Sequence, residues 1–420
     1  MMQFPFFKQK KNAEGLIGVD FRASRVAMAH LLPGKKPIFK PTLKQCAFEI
    51  LPDESADALN TGSAPNHHAQ NDALKKIVHS FPIKQFPCNS SIEKSAYELL
   101  LIDAPNVESS ELKQAVRWRI KDQLAYHIDD AVIDVFEIPG QQSGRAQHMY
   151  VVASQKQQID ARVEQLQQAE MKLQAIDIYE LAQRNIAAIL PEDKDGIVML
   201  RFNANSGLLT ITRQGTLYLT RKIDFGINRL AQVLDSAFES ENAENKSSES
   251  KGSEQNSFEE DDFNAEEIEL NISDEDVIFD KEDDFKLPDS IHDLDGISFE
   301  DDIQEPDAEQ STINGLNEQG KLIVDEVILE IQRSLDYYVS HFNQRPVTKI
   351  ILAPLVNEVP GLIEYIHEML GVPVEALDFN EALNVAKPLS RELQAYCFYA
   401  IGLALRNEGQ HSQKKQQGVQ

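Results

Sequence analysis

The chain has 420 residues, of which 42% are hydrophobic, and that length leaves room for two or three domains with sizeable cores. Its formal net charge is −27 at pH 7, and the sequence lacks the basic footprint that nucleic-acid binding requires. Three scattered cysteines argue against a zinc site and favour a reducing compartment. No apolar run is long enough to cross a bilayer, and no secretory signal peptide opens the sequence. We therefore expect a cytoplasmic protein.

The first half of the chain alternates short strands with helices, which predicts α/β layers. Residues 1–14 carry three phenylalanines followed by lysines and are predicted to be flexible, either touching a membrane surface or forming a disordered tail. His67 and His68 adjoin in a polar loop, 53–71, without a cysteine or acidic partner, so no metal site is expected. The predicted strands are two within 15–29, then 46–51, 96–103, 132–138, 148–153 and 173–178, and the helices are 72–80, 111–127, 155–169 and 179–190.

Residues 111–127 form the clearest amphipathic helix. Leu112, Val116 and Ile120 repeat at helical spacing on one face. The other face is basic and carries Arg117, Trp118 and Lys121. This face is either a docking surface for a partner or an ordinary solvated helix face, and the sequence alone leaves both open.

Residues 196–226 repeat the opening of the chain. Three strands at 197–202, 208–212 and 216–223 are joined by tight turns, as in an antiparallel meander. The similar strand–loop–strand at 15–29 suggests two related α/β lobes, which we place at 15–192 and 193–407. The remaining elements are helices at 227–238, 360–370 and 392–406 and strands at 349–352 and 372–377. A long helix follows Gly320, carries Ile323 to Tyr338 on one face and ends before Arg345-Pro346, and a tail at 408–420 is predicted to be disordered.

The negative charge is concentrated in one insertion within the second lobe. Residues 239–310 contain 28 of the 68 acidic residues but 4 of the 41 basic ones, which leaves 40 acidic and 37 basic residues elsewhere. Such a composition cannot bury enough apolar surface to offset its ordering entropy. We therefore expect a long disordered acidic insertion at about 239–312, which either serves as a solvated spacer or offers short segments to a basic partner.

The order of these elements and several short motifs resemble the PilM proteins of type IV pilus assembly, which have the actin-like ATPase (ribonuclease H-like) fold. The inserted α/β subdomain of that family resembles residues 108–172 here. Within the family, the chain is most similar to the MshI branch of the mannose-sensitive haemagglutinin (MSHA) pilus. The matching motifs are Gly18-Val19-Asp20, the loop from Arg201 to Ser206, Phe225-Gly226, the run from Glu330 to Tyr338, Pro360-Gly361-Leu362, the run from Leu370 to Val374, and the run from Ala400 to Arg406.

Departures from the family pattern affect the nucleotide site. Phosphate loops need glycines so that backbone N–H groups can approach the phosphates. Arg22 and Asn203 stand where the family has glycine, Arg201 stands where an aspartate would hold Mg²⁺ through water, and Ala353-Pro354-Leu355 replaces the Gly-Gly adenosine loop. The residual nucleotide-site positions are Asp20, Ser24, Asn203 and Asn205.

The resemblance and these departures together imply a non-catalytic scaffold without a cofactor, metal or catalytic residue. The alternative is a genuine ATP-binding ATPase of the same fold. The family implies a location on the cytoplasmic face of the inner membrane, without a transmembrane segment of its own. It also implies three kinds of partner: a PilN-like inner-membrane protein, the pilus assembly motor ATPase and other MSHA platform proteins. The PilN-like peptide would dock between the first lobe and the inserted subdomain, where Arg117, Trp118 and Lys121 are candidate contacts.

Overall fold

The computed structural model describes residues 15–34, 40–52, 67–108, 111–139, 147–230 and 316–406. The predictions for the two termini and for the acidic insertion lie outside these residues. Within them, no helix is both long enough and apolar enough to cross a membrane.

Fourteen strands and nine α-helices lie with both ends inside the described residues. The strands are β1 Leu16–Phe21, β2 Arg25–Leu32, β3 Thr42–Ile50, β4 Cys88–Ser91, β5 Tyr97–Asp103, β6 Ala131–Glu137, β7 His148–Gln155, β8 Leu173–Asp177, β9 Ile197–Phe202, β10 Gly207–Arg213, β11 Thr216–Ile223, β12 Lys349–Leu352, β13 Val374–Ala376 and β14 Asn384–Val385. The helices are α1 His67–Val78, α2 Leu112–Ile120, α3 Lys156–Gln168, α4 Tyr179–Ala187, α5 Glu318–Phe342, α6 Leu362–Leu370, α7 Phe379–Ala382, α8 Arg391–Tyr396 and α9 Phe398–Ala404.

Two sheets share one plan, which is that of the actin-like fold. In the first sheet the order is β14-β3-β2-β1-β4-β8, and in the second it is β11-β10-β9-β12-β13. Each contains an antiparallel three-stranded meander whose first strand pairs in parallel with a later strand, and that strand pairs in parallel with the next one. The predicted pair of related α/β lobes is therefore confirmed. The C-terminal region also contributes β14 to the first sheet, parallel to β3, although the sequence assigned that region to the second lobe.

Helices α4 and α9 join the two lobes. One apolar cluster combines their side chains with residues of both sheets, such as Ala29 from β2 and Met199 from β9. The approach is close because it is made through glycines: a Cβ on Gly18 would lie 1.9 Å from the Ala400 carbonyl oxygen, and one on Gly402 would lie 2.4 Å from that of Ala182. Backbone-to-backbone packing therefore fixes α9 against β1 on one side and α4 on the other.

A smaller sheet with the order β5-β7-β6 forms the inserted subdomain. Its strands alternate in side-chain direction. One face packs with Val116 and Ile120 of α2, and the other reaches the second lobe, where the Tyr150 hydroxyl donates to the Tyr218 carbonyl at 3.1 Å. The sheet includes β5, so it begins before residue 108, where the sequence placed the boundary.

Four elements differ from their predicted form. The helix predicted at 111–127 ends at Ile120, because Leu124 adopts an extended conformation that lets it pack against the subdomain core. The helix predicted at 392–406 breaks at Cys397 into α8 and α9. Helix α1 begins inside the predicted loop 53–71, since a stripe that includes Ala73 and Leu74 is buried. Strand β4, with the polar sequence CNSS, was missed, yet it is completely buried between β1 and β8.

Candidate functional site

The first candidate loop is the β1–β2 hairpin, which closes tightly on itself. The Arg22 backbone N–H donates to the Arg25 carbonyl at 2.8 Å. Asp20, at the end of β1, is fully buried. Its carboxylate accepts from the Ser91 hydroxyl at 2.7 Å and from Arg22 Nε at 3.3 Å. Both oxygens of this residual nucleotide-site residue therefore contact other parts of the protein. The Ser24 carbonyl accepts from the Leu51 N–H at 2.9 Å, which ties the turn to the end of β3.

Arg22 lies between two aromatic rings that belong to the two central helices. Its guanidinium carbon is 3.8 Å from the ring centroid of Tyr179 on α4 and 4.5 Å from that of Tyr399 on α9. Burial lowers the pKa of the Arg22 guanidinium, but the electrostatic interactions with Tyr179 and with the Asp20 carboxylate outweigh burial, so the net pKa is raised. Arg22 is therefore a permanent cation held by cation–π contacts and by Asp20.

In the second lobe, Arg201 occupies the position in β9 that Asp20 has in β1. It is 5% exposed, and its guanidinium donates to the carbonyl oxygens of Pro354 and Ala395, the latter at 2.8 Å. The same group lies 5.0 Å from the ring centroid of Phe398. Burial lowers its pKa to about 10, so the group remains charged at neutral pH. A cation thus stands where the family pattern has a metal-binding aspartate, and it uses the carbonyl of the altered adenosine loop as an acceptor.

The turn between β9 and β10 is hydrogen-bonded to the chain that follows β11. Asn203 N–H donates to the Ser206 carbonyl at 2.7 Å, and the Ile227 N–H donates to the Asn203 carbonyl at 2.9 Å. Gly226 makes this approach possible, because a Cβ there would lie 2.2 Å from the Ala204 carbonyl oxygen. The Asn205 side chain accepts from the Asn228 amide at 3.2 Å. The hairpin backbone is thus committed to internal hydrogen bonds.

The structure brings Asp20, Arg22 and Arg201 into one electrostatic cluster, since Asp20 influences the pKa of both guanidinium groups and Arg22 influences that of Arg201. Ser24, Asn203 and Asn205 lie on the two hairpins that lead into it. Sequence reasoning missed the residues that hold these groups. They come from other elements: Gln70, Ser91, Tyr179 and Tyr399. The aromatic residues at 396–399 could have indicated these contacts in the sequence, because cations placed in an apolar site need aromatic rings or carboxylates nearby.

The predicted partner face on α2 divides into two parts. The Arg117 guanidinium turns inward and donates to the carbonyls of Ile128 and Ala131, so it holds the chain that leads into β6. Trp118 and Lys121 stay on the surface: the indole is 68% exposed and the Lys121 ammonium lies 5.5 Å from its ring centroid. The structure therefore brings Trp118 and Lys121 together as an accessible pair and gives Arg117 a structural contact.

Comparisons with known proteins place the chain in a family. The family model described as type IV pilus assembly protein PilM matches residues 18–264 and 250–408. A solved structure of the PilM–PilN type IV pilus biogenesis complex is 17% identical, with a TM-score of 0.60, and the match covers 94% of this chain and 98% of that chain.

Two further solved structures are less similar. The ethanolamine utilization protein EutJ of Carboxydothermus hydrogenoformans is 11% identical, with a TM-score of 0.39 and coverage of 94% of this chain and 90% of that one. The cytoplasmic domain of EpsL, an inner-membrane component of the type II secretion system of Vibrio cholerae, is also 11% identical, with a TM-score of 0.34 and coverage of 50% and 71%. No curated protein matches the chain significantly. Because the family model covers most of the sequence, the chain belongs to the PilM family of type IV pilus assembly proteins.

Proposed function

We propose that this protein is a non-catalytic scaffold of a type IV pilus assembly platform of the MSHA type. In this role it lies at the cytoplasmic face of the inner membrane, binds the cytoplasmic N-terminal peptide of a PilN-like membrane protein and links it to the assembly motor and other platform proteins. The observation that supports a non-catalytic role is the placement of Arg22 and Arg201. Both guanidinium groups occupy phosphate-loop positions and both are bonded to the protein itself.

The physical argument concerns what ATP would have to displace. A triphosphate needs backbone N–H groups within reach and acidic side chains that hold Mg²⁺. Here Asp20 is already bonded to Arg22 and Ser91, and Arg201 would repel the metal. Each cation–π contact contributes on the order of 0.5–2 kcal/mol. Opening the site would forfeit the contacts of Arg22 with both Tyr179 and Tyr399, so we expect weak nucleotide affinity.

A nucleotide titration tests this part of the proposal. Purified protein is titrated with ATP in Mg²⁺ and again in chelator, by calorimetry or with a fluorescent analogue. We expect no saturable binding at concentrations up to about 1 mM, equivalent to a binding free energy weaker than about −4 kcal/mol. Micromolar binding that requires Mg²⁺ would instead support the ATPase alternative.

The partner site is proposed between the first lobe and the inserted subdomain. These two parts are joined by a buried contact: the Tyr97 hydroxyl donates to Glu180 at 2.6 Å, and Lys94 pairs with the same carboxylate at 2.7 Å. The solved PilM–PilN complex has the same fold and supports a PilN-like partner. Trp118 and Lys121 offer an exposed indole beside a cation, and large aromatic side chains are the most frequent energetic anchors of interfaces.

A matched pair of substitutions tests this surface. Trp118→Ala is compared with Met369→Ala, which removes another large apolar side chain that is 51% exposed on α6. We expect Trp118→Ala to weaken binding of the PilN-like cytoplasmic peptide about 30-fold, as for a hot-spot residue worth about 2 kcal/mol. Met369→Ala should leave the affinity within about twofold. Equal affinities for wild type and Trp118→Ala would exclude the α2 face as the contact.

A further inference from the structure

Two cysteines that are far apart in the sequence meet in the fold. Cys46 lies on β3 and is half-buried, whereas Cys397 lies between α8 and α9 and is completely buried. Both are free thiols, and Cys46 packs against the apolar cluster that contains Cys397. Two thiols that enter one cluster from separate elements are the arrangement from which a disulfide can form.

Contacts on both sides of the thiols hold them together. The ring of Phe48, two residues beyond Cys46, meets the ring of Tyr396 edge-on, with centroids 4.6 Å apart. Arg25 Nε donates to the Tyr396 carbonyl at 3.4 Å, and its guanidinium lies 4.9 Å from that ring centroid. Because β2 pairs with β3 through Ala29 and Cys46, the strand and the helix junction are both fixed by their neighbours.

The two thiols are chemically unequal. The neighbouring Cys397 thiol lowers the pKa of the Cys46 thiol, although burial opposes this shift. The Cys46 thiol, together with burial, raises the pKa of Cys397. Since the thiolate is the reactive form, Cys46 is the nucleophile and Cys397 the partner. Cys88 provides a contrast, because burial raises its pKa to about 12 and leaves it unreactive at neutral pH.

We propose that Cys46 and Cys397 form a peroxide-sensitive modification site that is converted into an intramolecular disulfide. The Cys46 thiolate attacks one oxygen of hydrogen peroxide, which gives a sulfenic acid and, with the thiol proton, one water. Cys397 then attacks the Cys46 sulfur, the S–S bond forms, and a second water leaves with the sulfenic oxygen. Overall, two thiols are oxidised and one peroxide is reduced to two waters.

The crosslink would act on the centre of the molecule. It ties the first-lobe meander to the junction of α8 and α9, whose backbone supplies the acceptors of Arg25 and Arg201. Oxidation would therefore fix the C-terminal helices to the first lobe at the point where both lobes reach them. In the reduced protein this attachment is non-covalent. Oxidation would make it covalent, so the scaffold would become more rigid under oxidative conditions.

The experiment treats the full-length reduced protein with equimolar hydrogen peroxide, followed by alkylation in denaturant and intact-mass and peptide analysis. We expect the free thiols to fall from three to one, with a Cys46–Cys397 peptide pair that a reductant separates. Cys88→Ser should form the same pair. In Cys397→Ser, Cys46 should stop at a sulfenic acid that dimedone traps, and in Cys46→Ser, Cys397 should remain unmodified.

Native packing must accelerate the reaction, so the urea-unfolded protein serves as the reference. We expect the Cys46–Cys397 pair to form at least about tenfold faster in the native protein, because the fold raises the effective concentration of one thiol at the other. Three free thiols after treatment, pairing that involves Cys88, or sulfinic acid on Cys46 with Cys397 still free would each overturn the proposal.

Discussion

Gly402 offers the sharpest test of how the two lobes are joined. In the Gly402→Ala variant, the new Cβ would lie 2.4 Å from the Ala182 carbonyl oxygen and 2.9 Å from its carbon. These are backbone atoms of a packed helix and cannot swing aside as a side chain does. Restoring an ordinary contact of about 3.4 Å requires α4 and α9 to separate by roughly 1 Å, a displacement that a close-packed interior resists. Movement of α9 in the other direction is blocked as well, since Gly18 already touches the Ala400 carbonyl.

The magnitude follows from two opposing effects. Overpacking a core costs about 1–3 kcal/mol, and a clash with backbone on both sides belongs at or above the upper end of that range. Alanine is a better helix former than glycine by about 1 kcal/mol, which offsets part of the loss. We therefore expect Gly402→Ala to lower the free energy of unfolding by at least about 2 kcal/mol.

Urea denaturation followed by circular dichroism measures this change, as a shift of the midpoint at constant slope. The control is Gly371→Ala, which has φ +64° but nothing within 4 Å of its added Cβ. That variant should lose about 1 kcal/mol through backbone strain alone. A Gly402→Ala protein as stable as wild type would refute the argument that backbone contact through this glycine joins the lobes.

Two further predictions concern stability. Burial and the facing His148 ring, with centroids 4.5 Å apart, lower the pKa of His341. The unfolded chain therefore binds the proton more readily, and stability should fall as pH drops below about 6.5. Thermal melts between pH 8 and 5 should show this fall and His341→Asn should reduce it, whereas an identical pH profile for the variant would disprove the assignment. Asp193 accepts from the Thr212 hydroxyl and the Gly215 N–H, both at 2.6 Å. Because an amide accepts only through its oxygen, Asp193→Asn should lower the free energy of unfolding by about 1–3 kcal/mol in urea denaturation. An unchanged free energy of unfolding would argue that the carboxylate does not hold the β10–β11 turn.

Periodicity and turn residues were sufficient to predict most of the scaffold. The meander at residues 197–223 was predicted within one residue at each strand end, because apolar alternation and the Gln214-Gly215 turn agree there. Strand β4 could not be found in this way. Its sequence, CNSS, carries no strand signal, and it is buried only because β1 and β8 flank it. Tertiary context overrides local propensity at that position.

The sequence was sufficient to identify the altered residues of the candidate site, but not the groups that they contact. The sequence identifies Arg22 and Arg201 as departures from a phosphate loop, yet it does not say what their charges meet. Their partners are two tyrosine rings in one case and two backbone carbonyls in the other, and the residues that supply them lie more than 150 positions away along the chain. Similarly, the basic character of α2 is evident from the sequence, whereas the inward turn of Arg117 depends on the carbonyl of Ala131, in a strand that the helix packs against.

The described part of the second lobe ends at Leu230 and resumes at Leu316, and both residues are buried in the same cluster. A Cβ on Gly320 would lie 3.7 Å from Leu230 and 3.0 Å from Leu316, so the two anchors stand side by side. Closing a loop becomes costlier by only about 0.6 kcal/mol for each doubling of its length. Because the sequence predicts a disordered acidic insertion at about 239–312, insertions and deletions within it should be nearly neutral for folding, and evolution is free to lengthen, shorten or recode it.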